Sequence, residues 1–236
     1  MACGALGEII TGLKGSVTAY VQVRLLSPSL VPSSDALLTS PDMTLQPLFE
    51  LIYAGLSDSE AEVRSNAAFA AGVLVENMDA QLGFDDVVRL LTVLRPLFLC
   101  TPEQVAESAA FGNARDNAAG AVARIILKDC DVVPLDQVLP VLLEALPLKN
   151  DFIENRVVFR CIFHLFQVSA SNAKVMPVLL SHMDRLLAVF VYVLEDGREE
   201  EIGAETREQL IALVRHLTTV GDVGSKIQAA GLGRFL

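Results

Sequence analysis

The 236-residue sequence predicts an all-α protein, a solenoid of antiparallel helix pairs. Apolar residues recur at helical spacing along most of the chain, and no segment alternates with the period of two that is typical of a half-buried strand. The breaks between the helical segments are short, which favours antiparallel neighbours. A six-residue pattern also occurs twice, 51 residues apart, as expected of repeated helix pairs.

The predicted elements follow in order along the chain. Residues 1–22 are predicted to be the B helix of an incomplete first pair. Residues 23–44 contain three prolines and five serines but no helical stripe, so they are predicted to form an irregular loop or insertion. Residues 45–220 are predicted to form the successive helix pairs, and residues 221–236 a capping helix or tail. Within the paired region the predicted helices are 45–56, 60–77, 84–99, 113–128, 135–146, 154–168, 173–194 and 204–220.

The repeated pattern decides between a closed bundle and a solenoid. Residues 63–68 read VRSNAA and residues 114–119 read ARDNAA, and each copy opens a helix that follows another amphipathic helix. A third, weaker copy has its apolar residues at the same spacing within 158–165. Helix pairs that repeat every 40 to 50 residues or so are typical of HEAT or armadillo repeats. The predicted architecture is therefore a HEAT-repeat α-solenoid, which is a right-handed superhelix.

Composition supports a folded chain that needs no covalent staple. A chain of this length buries about 70% of its extended surface, and 52% of its residues are apolar. The longest purely apolar run, 186–194, has nine residues, whereas a membrane span needs about 20. We therefore expect a soluble protein without a membrane partner. The four scattered cysteines favour free thiols in a reducing compartment, and no signal peptide is predicted because a basic n-region is lacking.

The charge balance limits the class of partner. The chain has 18 basic and 29 acidic side chains, for a net charge of −11. This charge disfavours direct binding to nucleic acid and favours basic partners. Seven of the carboxylates lie within residues 195–208. We expect that stretch to be a solvated loop, which could also attract basic proteins at long range.

The sequence offers little support for catalysis. Its three histidines, His164, His182 and His216, stand singly within apolar helices. No metalloprotease, nucleophile-elbow, phosphate-loop or dinucleotide-binding motif occurs. We therefore predict a protein that is not an enzyme and has no catalytic residue, no metal site and no cofactor.

Two sets of polar residues recur with the repeats. Asp58, Arg64 and Arg115 lie at inter-helix turns or early in the following helices, and they are expected to form a structural ladder between neighbouring turns. Asn66 and Asn117 occupy equivalent positions, and Glu154 begins the next B helix of the series. These three residues could enclose a lysine ammonium, which needs oxygen acceptors and a compensating charge. Helix capping or hydrogen bonding between repeats by the asparagines is the alternative.

Three segments carry a resemblance to a known family: EVRSNAAFAAGVLVEN, ARDNAAGAVARIIL and residues 138–163. They resemble the C-terminal HEAT repeats of the importin-β karyopherins, and within that superfamily the importin-4 / karyopherin-123 branch. The resemblance covers residues 2–20 and 45–217, and its most specific part is LPLKNDFIEN. Residues 23–44 have no counterpart in the family pattern.

The resemblance implies the cargo-binding, C-terminal end of a nuclear import receptor that shuttles between cytoplasm and nucleus. Its implied cargoes are basic proteins such as histone H3 and H4 tails and ribosomal proteins. Nucleoporins are further implied partners, and the GTPase Ran would be contacted only by N-terminal repeats outside this chain. The residues that match the family's cargo-lysine pocket are Ser65, Asn66, Asn117 and Glu154, although Ile153 stands where the family has a second acidic residue. The alternative is a HEAT-repeat scaffold that organises a multisubunit complex.

Overall fold

A computed structural model describes residues 42–236, and its described side chains begin at residue 47. The predicted first helix (1–22) and residues 23–41 of the predicted insertion lie outside the described residues. The described part is helical throughout and contains no strand, which confirms the predicted all-α class. It divides after Val132 into two compact units.

The first unit contains five α-helices among its described residues. They are α1 (Asp42–Leu56), α2 (Ala61–Asn77), α3 (Phe84–Leu94), α4 (Pro102–Glu107) and α5 (Ala109–Lys128), and a 3-10 turn, Arg95–Leu99, extends α3. Residues 42–44, which were predicted to end the insertion, are the first turn of α1. The segment after the 3-10 turn was predicted to be a simple break, but Thr101 caps α4 through a capping box with Gln104.

Helices α2 and α5, which carry the two copies of the repeated pattern, pack side by side and run parallel. Residues early in α2 meet residues early in α5, and residues late in α2 meet residues late in α5, with an offset of about 50 residues. Their facing surfaces are alanine-rich and fully buried, so the two backbones approach closely. A Cβ atom added to Gly72 would lie only 2.8 Å from the Cα of Ala121. The repeated pattern therefore marks structurally equivalent helices of consecutive pairs.

The second unit contains seven α-helices. They are α6 (Leu135–Ala145), α7 (Phe152–Val168), α8 (Val175–Ser181), α9 (Met183–Leu194), α10 (Glu199–Ile202), α11 (Ala204–Leu217) and α12 (Val223–Ala229). Helix α12 and a final 3-10 turn, Leu232–Phe235, bury Val223, Ile227 and Leu232. The Nζ atom of Lys226 in α12 lies 2.7 Å from the carboxylate of Asp184 in α9. The tail thus packs on the last helices, as a capping segment would.

Two predictions for the second unit are wrong. Residues 173–194 do not form one helix, because the chain bends by 68° between α8 and α9. Near the bend the Ser181 hydroxyl donates to the carbonyl of Val178, a bond that competes with the helical pattern. The acidic stretch 195–208 is also not a loop, because it contains α10 and the start of α11.

No single helix among residues 42–236 has both the length and the apolar character needed to cross a membrane. Helices α8 and α9 reach that length and composition only when the two are counted together across their bend.

Candidate functional site

Ser65 and Asn117 form a buried polar pair between α2 and α5. The Asn117 Nδ2 atom donates to the Ser65 Oγ atom at 3.0 Å, and the two residues are 8% and 7% exposed. The Asn117 Oδ1 atom is buried and has no hydrogen-bond partner. A buried carbonyl oxygen without a partner costs free energy unless a donor reaches it. This oxygen therefore has an unused capacity to accept a hydrogen bond.

The repeat architecture fixes the position of this pair. Small residues let α2 and α5 approach closely along their length, as the contact between Gly72 and Ala121 shows. Near the other end of the helices, the Arg124 Nε atom lies 2.9 Å from a Glu76 carboxylate oxygen, and Lys128 donates to the carbonyl of Met78. These contacts hold the register of the two helices, and hence the distance between Ser65 and Asn117.

Asn66 lies beside this pair but does not bond to its sequence equivalent. It is half-buried on α2, one residue and about 100° around the helix from Ser65. The Asn117 side chain bonds to Ser65 instead. The structure therefore joins two of the four candidate residues directly and leaves Asn66 on the neighbouring surface of α2.

Glu154 belongs to the second unit, where it is 1% exposed in the first turn of α7. The next residue, Asn155, is also fully buried. Its Oδ1 atom accepts the N–H of Leu148, and its Nδ2 atom donates to the carbonyls of Leu148 and Glu201. Asn155 thus closes the turn between α6 and α7 and ties it to α10. This role was not predicted from the sequence, although an asparagine next to an apolar stripe is a signal for it.

The predicted ladder residues bond mainly within their own turns. The Asp58 carboxylate accepts the N–H of Glu60 at 2.8 Å. Arg64 donates to the carbonyls of Asp58 and Ser59 at 2.7 and 2.8 Å. Its contact with the following helix pair is made through Phe111, because the guanidinium lies 5.5 Å from the centre of that ring.

Arg115, the third predicted ladder residue, lies next to Asp116 in α5. Its guanidinium is 3.4 Å from the Asp116 carboxylate, which is fully buried. This pair lies within one helix, and no bond joins Arg115 to Asp58 or Arg64 among the described contacts.

Arg207 in the second unit donates to backbone carbonyls in the same way as Arg64 in the first. Each is the fourth residue of its helix, α11 and α2 respectively. Arg207 donates to the carbonyls of Val193 and Leu194 at the end of α9, at 3.4 and 2.8 Å. Both arginines therefore satisfy carbonyls that a helix end or turn leaves unpaired. The role of Arg207 was not predicted from the sequence, although its position in the helix is the same as that of Arg64.

One arginine, Arg198, binds two carboxylates of the acidic segment 195–201, which runs from the end of α9 into α10. Arg198 lies 2.8 Å from the Glu201 carboxylate and 3.6 Å from that of Glu195, and its guanidinium stacks 3.7 Å from the centre of the Tyr192 ring. Hydrogen bonding to its own backbone N–H lowers the pKa of Glu199, so this carboxylate is ionised at neutral pH. The turn therefore presents fixed negative charge.

The metal-binding residue types and the cysteines of the described part were predicted to have no chemical role. No three histidine, cysteine, aspartate or glutamate side chains within 42–236 are grouped as metal ligands would be. Burial raises the pKa of the Cys130 thiol, so this cysteine is mostly protonated and a poor nucleophile at neutral pH.

Comparison with known proteins gives a consistent set of relatives. The chain is 31% identical over 217 residues to the probable importin subunit beta-4 of Schizosaccharomyces pombe, a match that covers 92% of this chain and 17% of that protein. It is also 31% identical over 218 residues to importin-4 of Homo sapiens, covering 92% of this chain and 16% of that protein. Importin-4 of Mus musculus matches 80% of this chain at the same identity. The chain thus spans about a sixth of the length of these relatives, and no family model matches it.

Proposed function

The chain belongs to the importin-β family, in its importin-4 branch, and we propose that it is the C-terminal, cargo-binding part of a nuclear import receptor. Its cargo is a basic segment of another protein, of the kind found in histone tails and ribosomal proteins. The protein acts by binding and not as an enzyme. It moves between cytoplasm and nucleus, with Ran bound by repeats outside this chain and nucleoporins as further partners.

The unpartnered oxygen of Asn117 is the observation that carries this proposal. A lysine ammonium has three N–H donors and no acceptor, so it suits a buried oxygen that has no donor of its own. The surroundings supply the opposite charge, because residues 42–132 contain six basic and fourteen acidic side chains, a net charge of −8. Ser65 holds the amide of Asn117 in place, and Asn66 lies on the adjoining surface of α2.

Glu154 is proposed as a second acceptor, in the other unit. It is the one candidate residue with a negative charge, which a lysine ammonium needs as its counter-charge. Asn117 and Glu154 lie in different units and are tested one at a time. Glu154→Gln is the suitable variant for the second residue because it removes the charge at nearly constant volume.

A titration tests the proposal for Asn117. A fluorescently labelled histone H3 tail peptide is titrated with the wild-type chain and with Asn117→Ala, and the dissociation constants are compared. Loss of the acceptor is expected to weaken binding about tenfold or more, because one hydrogen bond to a charged group contributes about 1.5 to 3 kcal/mol. The matched control is Asn77→Ala, near the other end of α2, where the asparagine side chain bonds only to the carbonyl of Val73. Equal affinities of all three proteins would contradict the proposal for Asn117. Salt-independent or unmeasurable binding would favour a scaffold instead.

A further inference from the structure

The turn between α1 and α2 exposes two serines among carboxylates. Residues 57–62 read SDSEAE. Ser59 follows Asp58 directly. It is followed by Glu60, and Glu62 lies three positions after it. Both serines of this segment and both glutamates are exposed. Within the part of the chain that the structure describes, these two serines alone among the serines and threonines have carboxylates at both the first and the third following positions.

Ser59 can be drawn away from the fold without exposing the core. Residues 57–64 contain no buried side chain, and the nearest buried residues on either side are Leu56 and Ser65. Ser57 directly follows Leu56, which is 3% exposed. Moving Ser57 into the groove of an enzyme would therefore pull an apolar side chain out of the core, which costs free energy. Ser59 lies farther from both buried residues, so a local opening of the turn is enough to present it.

We propose that the Ser59 hydroxyl is the phosphorylation site of an acid-directed protein kinase, an enzyme that binds carboxylates beside its target serine with basic groups. The Ser59 Oγ atom attacks the γ-phosphorus of ATP and forms an Oγ–P bond, while the bond from that phosphorus to the oxygen of the leaving ADP breaks. The hydroxyl proton passes to a base of the kinase. A kinase that selects basic residues before the serine fits less well, because residues 42–58 contain no lysine or arginine.

Arg64 lies where it can bind the resulting phosphate. Its Nη1 atom donates to the carbonyl of Ser59 at 2.8 Å and to that of Asp58 at 2.7 Å. The guanidinium is therefore already next to the residue that is modified. Hydrogen bonds between arginine and phosphate are charge-assisted and stronger than those to a neutral carbonyl. Arg64 thus supplies the positive charge that offsets repulsion between the phosphate and the neighbouring carboxylates.

Phosphorylation at Ser59 also makes the first unit more acidic. A phosphoserine carries a charge of about −1.5 to −2 at neutral pH, which adds to the net charge of −8 of residues 42–132. Ser59 precedes α2, and Ser65 of the candidate acceptor pair is the fifth residue of that helix. The modified chain is therefore expected to bind a basic peptide about twofold more tightly or better at low salt, an effect that rests on the proposed function.

A kinase assay on the 236-residue chain tests the site. The chain is incubated with casein kinase II and ATP, and the phosphate is located by mass spectrometry. The wild type and the matched control Ser57→Ala are expected to be phosphorylated at Ser59. Ser59→Ala removes the hydroxyl, and Glu62→Gln removes one exposed carboxylate; each should lower the rate of transfer about tenfold or more. Cyclic AMP-dependent protein kinase, which selects basic residues before the serine, should not phosphorylate Ser59.

Failure of the site and failure of the proposed function give different results. A wild-type chain without phosphate on Ser59, or an equal rate of transfer in Glu62→Gln, would overturn the inference whether or not basic peptides bind. The phosphorylated and unmodified chains are then each titrated with a labelled histone H3 tail peptide. Equal affinities would overturn the expected effect on cargo binding. If neither form binds the peptide, the proposed function is contradicted, and phosphate on Ser59 still supports the site.

Discussion

Substitution of Gly72 tests the close packing of α2 on α5, on which the geometry of the Ser65–Asn117 pair depends. In a helix interior, glycine to alanine or leucine normally stabilises by about 0.8 to 1 kcal/mol through backbone entropy. At Gly72 the new Cβ would lie 2.8 Å from the Cα of Ala121 and 3.2 Å from its Cβ. Ordinary carbon–carbon contacts are about 3.5 to 4.0 Å, so the helices must separate by several tenths of an ångström or more. Overpacking of this kind costs about 1 to 3 kcal/mol, which outweighs the gain.

We therefore expect Gly72→Ala to lower the free energy of unfolding by about 1 kcal/mol, and Gly72→Leu by about 3 kcal/mol or more. Urea unfolding followed by circular dichroism at 222 nm measures both values. The control is Gly83→Ala, because a Cβ at Gly83 would make only an ordinary 3.5 Å contact with Asp86. Wild-type or higher stability of Gly72→Leu would refute the close packing of α2 and α5.

The remaining stability predictions concern buried or half-buried charge. Arg64→Ala and Arg207→Ala should each lower the free energy of unfolding by about 1 to 3 kcal/mol, because the carbonyls that accept hydrogen bonds from these arginines lose their donors. Urea unfolding measures the change. A free energy of unfolding equal to that of the wild type would mean that water replaces the guanidinium. Glu76→Ala should cost about 1 to 3 kcal/mol, because Arg124 is only 7% exposed and would lose its carboxylate. The same loss in Glu76→Gln would assign the effect to charge, whereas wild-type stability of both variants would show that the ion pair contributes nothing measurable.

The fold was largely predictable from the sequence because its repeated helices carry their own signal. Alanine-rich stripes at helical spacing identified α2 and α5, and the recurrence of the pattern identified them as equivalent helices. The bend between α8 and α9 was not predictable in this way, because the apolar residues of both helices continue without a break in spacing. A single side-chain bond near the bend, from Ser181 to Val178, belongs to local geometry that periodicity does not report.

The candidate site was only partly predictable, because the alignment of two repeats does not fix the register of two packed helices. Asn66 and Asn117 are equivalent in sequence, but in the packed helices the Asn117 side chain bonds to Ser65 instead. Arg207 is a different case, since its role follows from its position four residues into α11, by analogy with Arg64 in α2. Tertiary packing determines the hydrogen bond between Ser65 and Asn117, whereas the unpaired carbonyls at the end of α9 determine the hydrogen bonds of Arg207.

Recognition of a cargo lysine is tested most directly by comparing one peptide with and without acetylation of its lysines. A histone H3 tail peptide with unmodified lysines, and the same peptide with its lysines acetylated, are each titrated into the wild-type chain by calorimetry at low and high salt. Acetylation removes the charge and two of the three ammonium donors. We expect the acetylated peptide to bind at least tenfold more weakly at low salt. The ratio of the two dissociation constants should fall at high salt, because salt screens the negative charge of the protein. Equal affinity of the two peptides at low salt would contradict recognition of a lysine by this protein.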